Sequence, residues 1–236
     1  MDETKVKSFW DNRARKYKSL PFESIVNLEE DPKNLELKVS LETEKVFSWL
    51  GDISGLHFLD LGAGVGQWAF RLVENGAKSV TAVEYSSDLV ELGRREAVQR
   101  KIKNVKFEIS PAEDYQPLEK ADIIFISGLF VYMNDQQAER LMTNLSKACH
   151  EKTKVLLRDG TALEKRFEIN NRMSEHLRTE YSASYRTKEE YIQLFMNYGF
   201  QILRDENMFN EGCPLNKYPE TRLRLYLFDQ GDTCQE

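Results

Sequence analysis

The stretch His57-Phe-Leu-Asp-Leu-Gly-Ala-Gly-Val-Gly-Gln67 constrains the fold more than any other part of this 236-residue chain. An apolar run from Phe58 to Leu61, carrying one acid at Asp60, meets three glycines at alternate positions, Gly62, Gly64 and Gly66. Residues Gln67 to Val73 then take up a helical pattern. The pattern is strand, tight turn, helix. A buried parallel strand ends where glycine, which has no Cβ, lets the chain fold back and lets a ligand approach the backbone. That ligand is nucleotide-like. A dinucleotide turn would read G-x-G-x-x-G with a pyrophosphate on the helix N-terminus. Here the third glycine comes one residue early, and Gln67 stands where that pattern needs glycine. A carboxylate at Asp60 would repel a pyrophosphate and suits a ligand with a cationic end.

The segment from Asp60 to Gly66 resembles motif I of the class I S-adenosylmethionine-dependent methyltransferases, and a weaker similarity runs from about Phe58 to Phe228. The resemblance implies S-adenosyl-L-methionine as cofactor, with its ammonium and sulfonium, and S-adenosyl-L-homocysteine as product. It puts Asp60, Gly62, Ala63, Gly64 and Gly66 around the cofactor. It also implies an α/β fold: a Rossmann-like seven-stranded mostly parallel sheet with an antiparallel C-terminal strand, a helical N-terminal cap and a lid insertion. The corresponding division is a cap over 1–50 and a methyltransferase domain over 51–236 with a lid at 161–186, in one compact unit.

Downstream residues extend the pattern. Ser79 to Glu84 is a β-rich run ending in an acid 18 residues after Gly66, close to the ~20 expected for a carboxylate that holds ribose hydroxyls. Glu84 and its neighbour Tyr85 are therefore cofactor candidates. Asn104 to Ile109 alternates polar and apolar residues as a third strand. In the family the next corner often has an Asp before Ala for the adenine. Pro111 stands there instead, so the contact passes to Glu113 or the backbone of Ala112. Ala121 to Ser127 is a continuous apolar run, as in a central strand buried on both faces. By resemblance its end faces the transferring methyl group, which places Ser127, Gly128, Leu129, Phe130 and Tyr132 at the reaction site. Asn134 with Gln137 and Thr187 with Glu190 read as capping boxes of two further helices, and Asp159 lies at the functional edge of the fifth strand.

The first fifty residues contain no strand of the main sheet. Val6, Phe9, Trp10, Ala14 and Tyr17 make one helical stripe, in which Tyr17 either packs or reaches the cofactor. Asp31-Pro32 starts a second helix toward Leu41, and a third spans Thr43 to Leu50 and stops at Gly51. Residues 161–186 are charged and irregular, as a lid or binding loop would be, and hold Arg172, His176, Arg178, Tyr181, Tyr185 and Arg186 for a polar or anionic substrate. The remaining segments, Phe200 to Leu203 and Thr221 to Phe228, supply the terminal strand pair.

The net charge of −6 without a Lys/Arg block argues against general nucleic-acid or acidic-membrane binding. Cys149, Cys213 and Cys234 are too scattered for a disulfide framework or a zinc site. No stretch is long enough to span a bilayer, and a cytoplasmic protein is expected. The expected partner is a small-molecule acceptor; the oligomeric state is not legible. Methyl transfer is an in-line displacement on an activated donor, so the protein supplies alignment and, for a hydroxyl acceptor, a base. Candidate bases are Tyr132, Asp159, His176 and Tyr181, while His57 and His150 flank scaffold elements. The absence of an Asn-Pro-Pro-Tyr-like motif after strand four disfavours methylation of adenine or glutamine and leaves a hydroxyl or amine of a small polar metabolite. A peptide methyltransferase, a non-catalytic S-adenosylmethionine-binding domain and a dehydrogenase are the rivals.

Overall fold

The computed structural model describes residues 3–17, 22–29, 31–174 and 179–230. Three helices lead: α1 (Glu3–Tyr17), α2 (Ser24–Asn27) and α3 (Pro32–Leu50). An alternating core follows, made of β1 (His57–Leu61), α4 (Gln67–Glu74), β2 (Ser79–Glu84), α5 (Ser87–Gln99), β3 (Val105–Ile109), β4 (Ile123–Ser127), α6 (Asp135–Ala148) and β5 (Lys154–Ala162). The chain ends with β6 (Phe167–Ser174), β7 (Thr179–Tyr185), α7 (Lys188–Met196), β8 (Phe200–Asn207) and β9 (Thr221–Gln230).

Seven strands form one sheet in the order β3-β2-β1-β4-β5-β9-β8. The first five are parallel, and β9 runs antiparallel between β5 and β8. The order reverses between β1 and β4, the switch point outside which open α/β sheets bind their ligands. Both faces of the sheet are covered. On one, Leu141 and Leu145 of α6 and Phe195 of α7 meet Ile124, Leu157 and Phe228, with the Phe195 and Phe228 rings stacked at 4.1 Å. On the other, Phe70 of α4 packs with Phe58 and Phe107, and Val46 of α3 packs with Trp68, Phe125 and Leu156.

Two expectations are corrected. The region after Thr161 is not irregular: β5 continues to Ala162, and β6 and β7 pair as an antiparallel ribbon. Its two-residue alternation at Phe167 and Ile169 is broken by a register shift between Ile169 and Arg172, which hides the strand in the sequence. The two expected helices between Pro32 and Leu50 are one. Glu42 turns inward and interrupts the apolar stripe there, because it is buried as the ion-pair partner of Arg158.

Gly66 supports the turn for a geometric reason. Its φ is +82°, and a Cβ there would lie 2.5 Å from the Phe107 ring. Gly66→Ala is expected to destabilise the protein by about 2–4 kcal/mol, from left-handed strain plus overpacking. Thermal denaturation checks this; an unchanged midpoint would mean that the turn relaxes freely.

Candidate active site

The glycine turn is fastened to β2 from both sides. The N–H groups of Gly62 and Ala63 donate to Val83 O at 2.9 and 3.0 Å. Gly64 N donates to Glu84 Oε2 and Ser86 N to Glu84 Oε1, each at 2.9 Å. Glu84 therefore clamps the turn while lining the same cavity as Gly62, Ala63 and Gly64. Ser86 Oγ in turn donates to Asp11 Oδ1 at 2.7 Å, which docks α1 on the end of β2.

Asp60 stands behind the turn at 1 % exposure, and its Oδ2 has no hydrogen-bond partner among the described residues. Burial, with the charge of Glu84 added, pushes its carboxyl up to about 8, only partly offset by the Ala69 N–H. Burial likewise pushes Glu84 up to about 7 against the pull of three backbone N–H groups. A buried acid with an unpartnered oxygen, in a residue that borders a cavity, calls for a cation or a donor. That matches a ligand carrying an ammonium and a sulfonium, with Glu84 lone pairs left over for hydroxyls.

The other side of the cavity lies over β4 and β5. Ser127 Oγ accepts from Arg158 Nη1 at 2.9 Å. Tyr132 lines the cavity edge-on to Trp10, with ring centroids 5.3 Å apart. Asp159 is fully buried; its Oδ2 accepts from Phe130 N at 2.8 Å and its Oδ1 from Gly160 N at 2.7 Å. Burial raises its carboxyl to about 6 even so. Tyr185 of β7 lies so close to Gly160 that a Cβ there would meet its ring at 2.7 Å.

The cavity, about 830 Å³, brings together twelve of the sequence-derived candidates: Asp60, Gly62, Ala63, Gly64, Glu84 and Tyr85, then Ser127, Gly128, Leu129, Tyr132 and Asp159, and Tyr185. Burial raises the Tyr85 hydroxyl well above its usual value. Gly66 and Ala112 do not line the cavity. Glu113 is turned away, accepting from Gln137 Nε2 at 2.8 Å beside Arg140 of α6. His176 lies outside the described residues, as do the side chains of Tyr17 and Tyr181. Arg186 does not reach the cavity; it donates to Phe130 O and Met133 O and pairs with Asp135. His57 and His150 bond to Ser79 and Asp122 as scaffold. The sequence reading missed Lys38, Lys217 and the cavity-facing role of Trp10, which it assigned to a core stripe.

A doubly covered α/β sheet with a glycine turn at its switch point and acids on β1 and at the end of β2 defines a class I S-adenosylmethionine-dependent methyltransferase fold. Residues 52–211 match the Methyltransferase domain family, and the chain belongs to that family. Phosphoethanolamine N-methyltransferase 3 of Arabidopsis thaliana is 30% identical over 117 residues, which is 48% of this chain and 22% of that protein. The chain spans about a quarter of the length of the curated relatives it matches. Among solved structures, the DhpI–SAH complex superposes with a TM-score of 0.66 at 18% identity, covering 96% of this chain and 95% of that one. Phosphoethanolamine N-methyltransferase 1 of Haemonchus contortus, in complex with phosphoethanolamine and S-adenosylhomocysteine, gives 0.72 at 17% identity over 100% of this chain and 52% of that one. Among the described residues, no helix is long and apolar enough to cross a membrane.

Proposed function

We propose that this methyltransferase moves a methyl group from S-adenosylmethionine to a small polar metabolite, and that the acceptor atom is an amine nitrogen. The observation that carries the proposal is that the cavity holding Asp60 and Glu84 continues into a wall of Trp10, Tyr132, Phe167 and Tyr185. Aromatic faces favour an ammonium, and a methylated one more than a hydroxyl. The amine-methylating relatives support the same choice. The cap over 1–50 and the β6–β7 ribbon within 161–186 would enclose a compact acceptor.

When bound, S-adenosylmethionine supplies a methyl group already activated by its sulfonium. Asp60 would face the cationic end and Glu84 the ribose, with the glycine turn admitting the backbone of the ligand. Ser127 and Gly128 would border the methyl, and Tyr132 and Trp10 would orient the acceptor. An amine must arrive neutral, and Asp159, raised to about 6, is better matched to receive its proton than an ordinary carboxylate.

Because burial raises Asp60 to about 8, the free protein holds that proton at neutral pH. A cationic ligand favours the ionised form, so binding releases a proton and affinity grows as pH rises. Affinity for S-adenosylmethionine is expected to increase several-fold between pH 6 and pH 8, bounded by about tenfold per unit. Calorimetry in buffers of different ionisation enthalpy checks this, and a pH-independent affinity without proton release would remove Asp60 from contact with the cation. The amine reading is tested by measuring S-adenosylhomocysteine formed with phosphoethanolamine, ethanolamine and ethylene glycol phosphate. Turnover confined to the hydroxyl compound would reverse it.

A further inference from the structure

We infer that the end of the cavity over β5 and α3, walled by Lys38, Arg158 and Lys217, is an anion subsite that holds a carboxylate or phosphate on the methyl acceptor. The inference rests on the methyltransferase reading of the cavity and adds a chemical class to the acceptor.

The cations on this wall differ in how they are paired. Arg158, 8 % exposed, pairs with Glu42, and Lys217 at the rim pairs with Glu29 at 2.7 Å. Arg222, also on the wall, pairs with Glu211 at 3.0 Å. Each of these cations has its own carboxylate. Lys38 has none within ion-pair distance among the described residues. Its ammonium donates to a neutral group, Asn27 O, at 3.1 Å, which leaves two protons for another acceptor. The side chain is half-buried on the cavity wall, and burial lowers its ammonium to about 8, with Glu42 and Glu29 pulling it back up and Arg158 and Lys217 pushing it further down. An anion beside Lys38 would accept the protons of an ammonium that has no carboxylate at ion-pair distance among the described residues.

Strand order sets Arg158 on the acceptor side. The acids that face the donor sit on β1 and β2, whereas Arg158 lies on β5, two strands beyond β1. At a strand spacing of ~4.8 Å that is roughly 10 Å away. The aromatic wall for the amine and the cations for the anion then bracket a short zwitterion. The donor carries a carboxylate of its own, the one other source of the same chemistry, and the experiment separates the two.

The test is calorimetry with inorganic phosphate and with phosphoethanolamine, on the free and the S-adenosylhomocysteine-loaded protein. Saturable binding of both probes is expected, weakened at least tenfold in Lys38→Met and restored in Lys38→Arg, with affinity for S-adenosylhomocysteine unchanged within twofold. Absence of probe binding to the wild-type protein, or equal binding to Lys38→Met, overturns the subsite. A tenfold loss of S-adenosylhomocysteine affinity in Lys38→Met, with probe binding intact, overturns it in favour of the donor carboxylate. Failure of the wild-type protein to bind S-adenosylhomocysteine would instead defeat the donor reading, while phosphate titration of the free protein still decides the subsite.

Discussion

Asp60→Asn is expected to weaken S-adenosylmethionine binding by about 30- to 150-fold, about 2–3 kcal/mol, while leaving adenosine binding unchanged. The magnitude follows from loss of a buried charged acceptor whose partner is the cationic end of the ligand. The selectivity follows from position: Asp60 lies behind the turn, while Glu84, the acid proposed to hold the ribose, is one strand away. Stability should move the other way. A buried acid whose folded pKa is raised from 3.8 to about 8 loses stability as pH rises across that interval, because the unfolded chain ionises first. Removing the charge lifts that penalty, so the variant should melt no lower than the parent at pH 8. Weak binding together with an intact melting temperature separates a lost contact from a lost fold. Equal losses for adenosine and S-adenosylmethionine would place Asp60 elsewhere in the site.

Glu84→Gln carries the second large effect. Both oxygens of Glu84 accept backbone N–H groups, from Gly64 and Ser86, so an amide must present its NH₂ to one of those donors. A buried N–H left without an acceptor costs about 1–3 kcal/mol. The glycine turn loosens as a result, and adenosine and S-adenosylhomocysteine should weaken together by a comparable amount, with a lower melting temperature. Calorimetry and denaturation on the same sample check both. Unchanged adenosine affinity would take Glu84 out of the ribose contact.

The donor half of the site was legible because its residues are close in sequence and their roles follow from local geometry. Alternate glycines after an apolar strand force a turn, and an acid at the end of the next strand arrives beside it because β1 and β2 pair in register. The acceptor half was less legible because its residues meet only through the fold. Lys38 and Arg158 stand 120 residues apart, and no periodicity announces that α3 lies over the end of β5. The single helix α3 reads as two, ending toward Leu41 and restarting at Thr43, since a buried acid such as Glu42 and a surface acid look alike in sequence. Glu113 was placed near the adenine by resemblance, but Gln137 and Arg140 of α6 turn it aside. The ribbon of β6 and β7 was hidden by its register shift, and with it the place of Phe167 on the cavity wall, whereas Tyr185, expected to face the substrate, does line it.

The most direct test of the account is incubation of the protein with methyl-labelled S-adenosylmethionine and a metabolite extract, followed by mass spectrometry of whatever gains the label. The account predicts one labelled small polar compound, methylated on nitrogen and carrying an anionic group, formed in step with S-adenosylhomocysteine. Tight donor binding with no labelled product, or label found only on a protein or peptide, would contradict it.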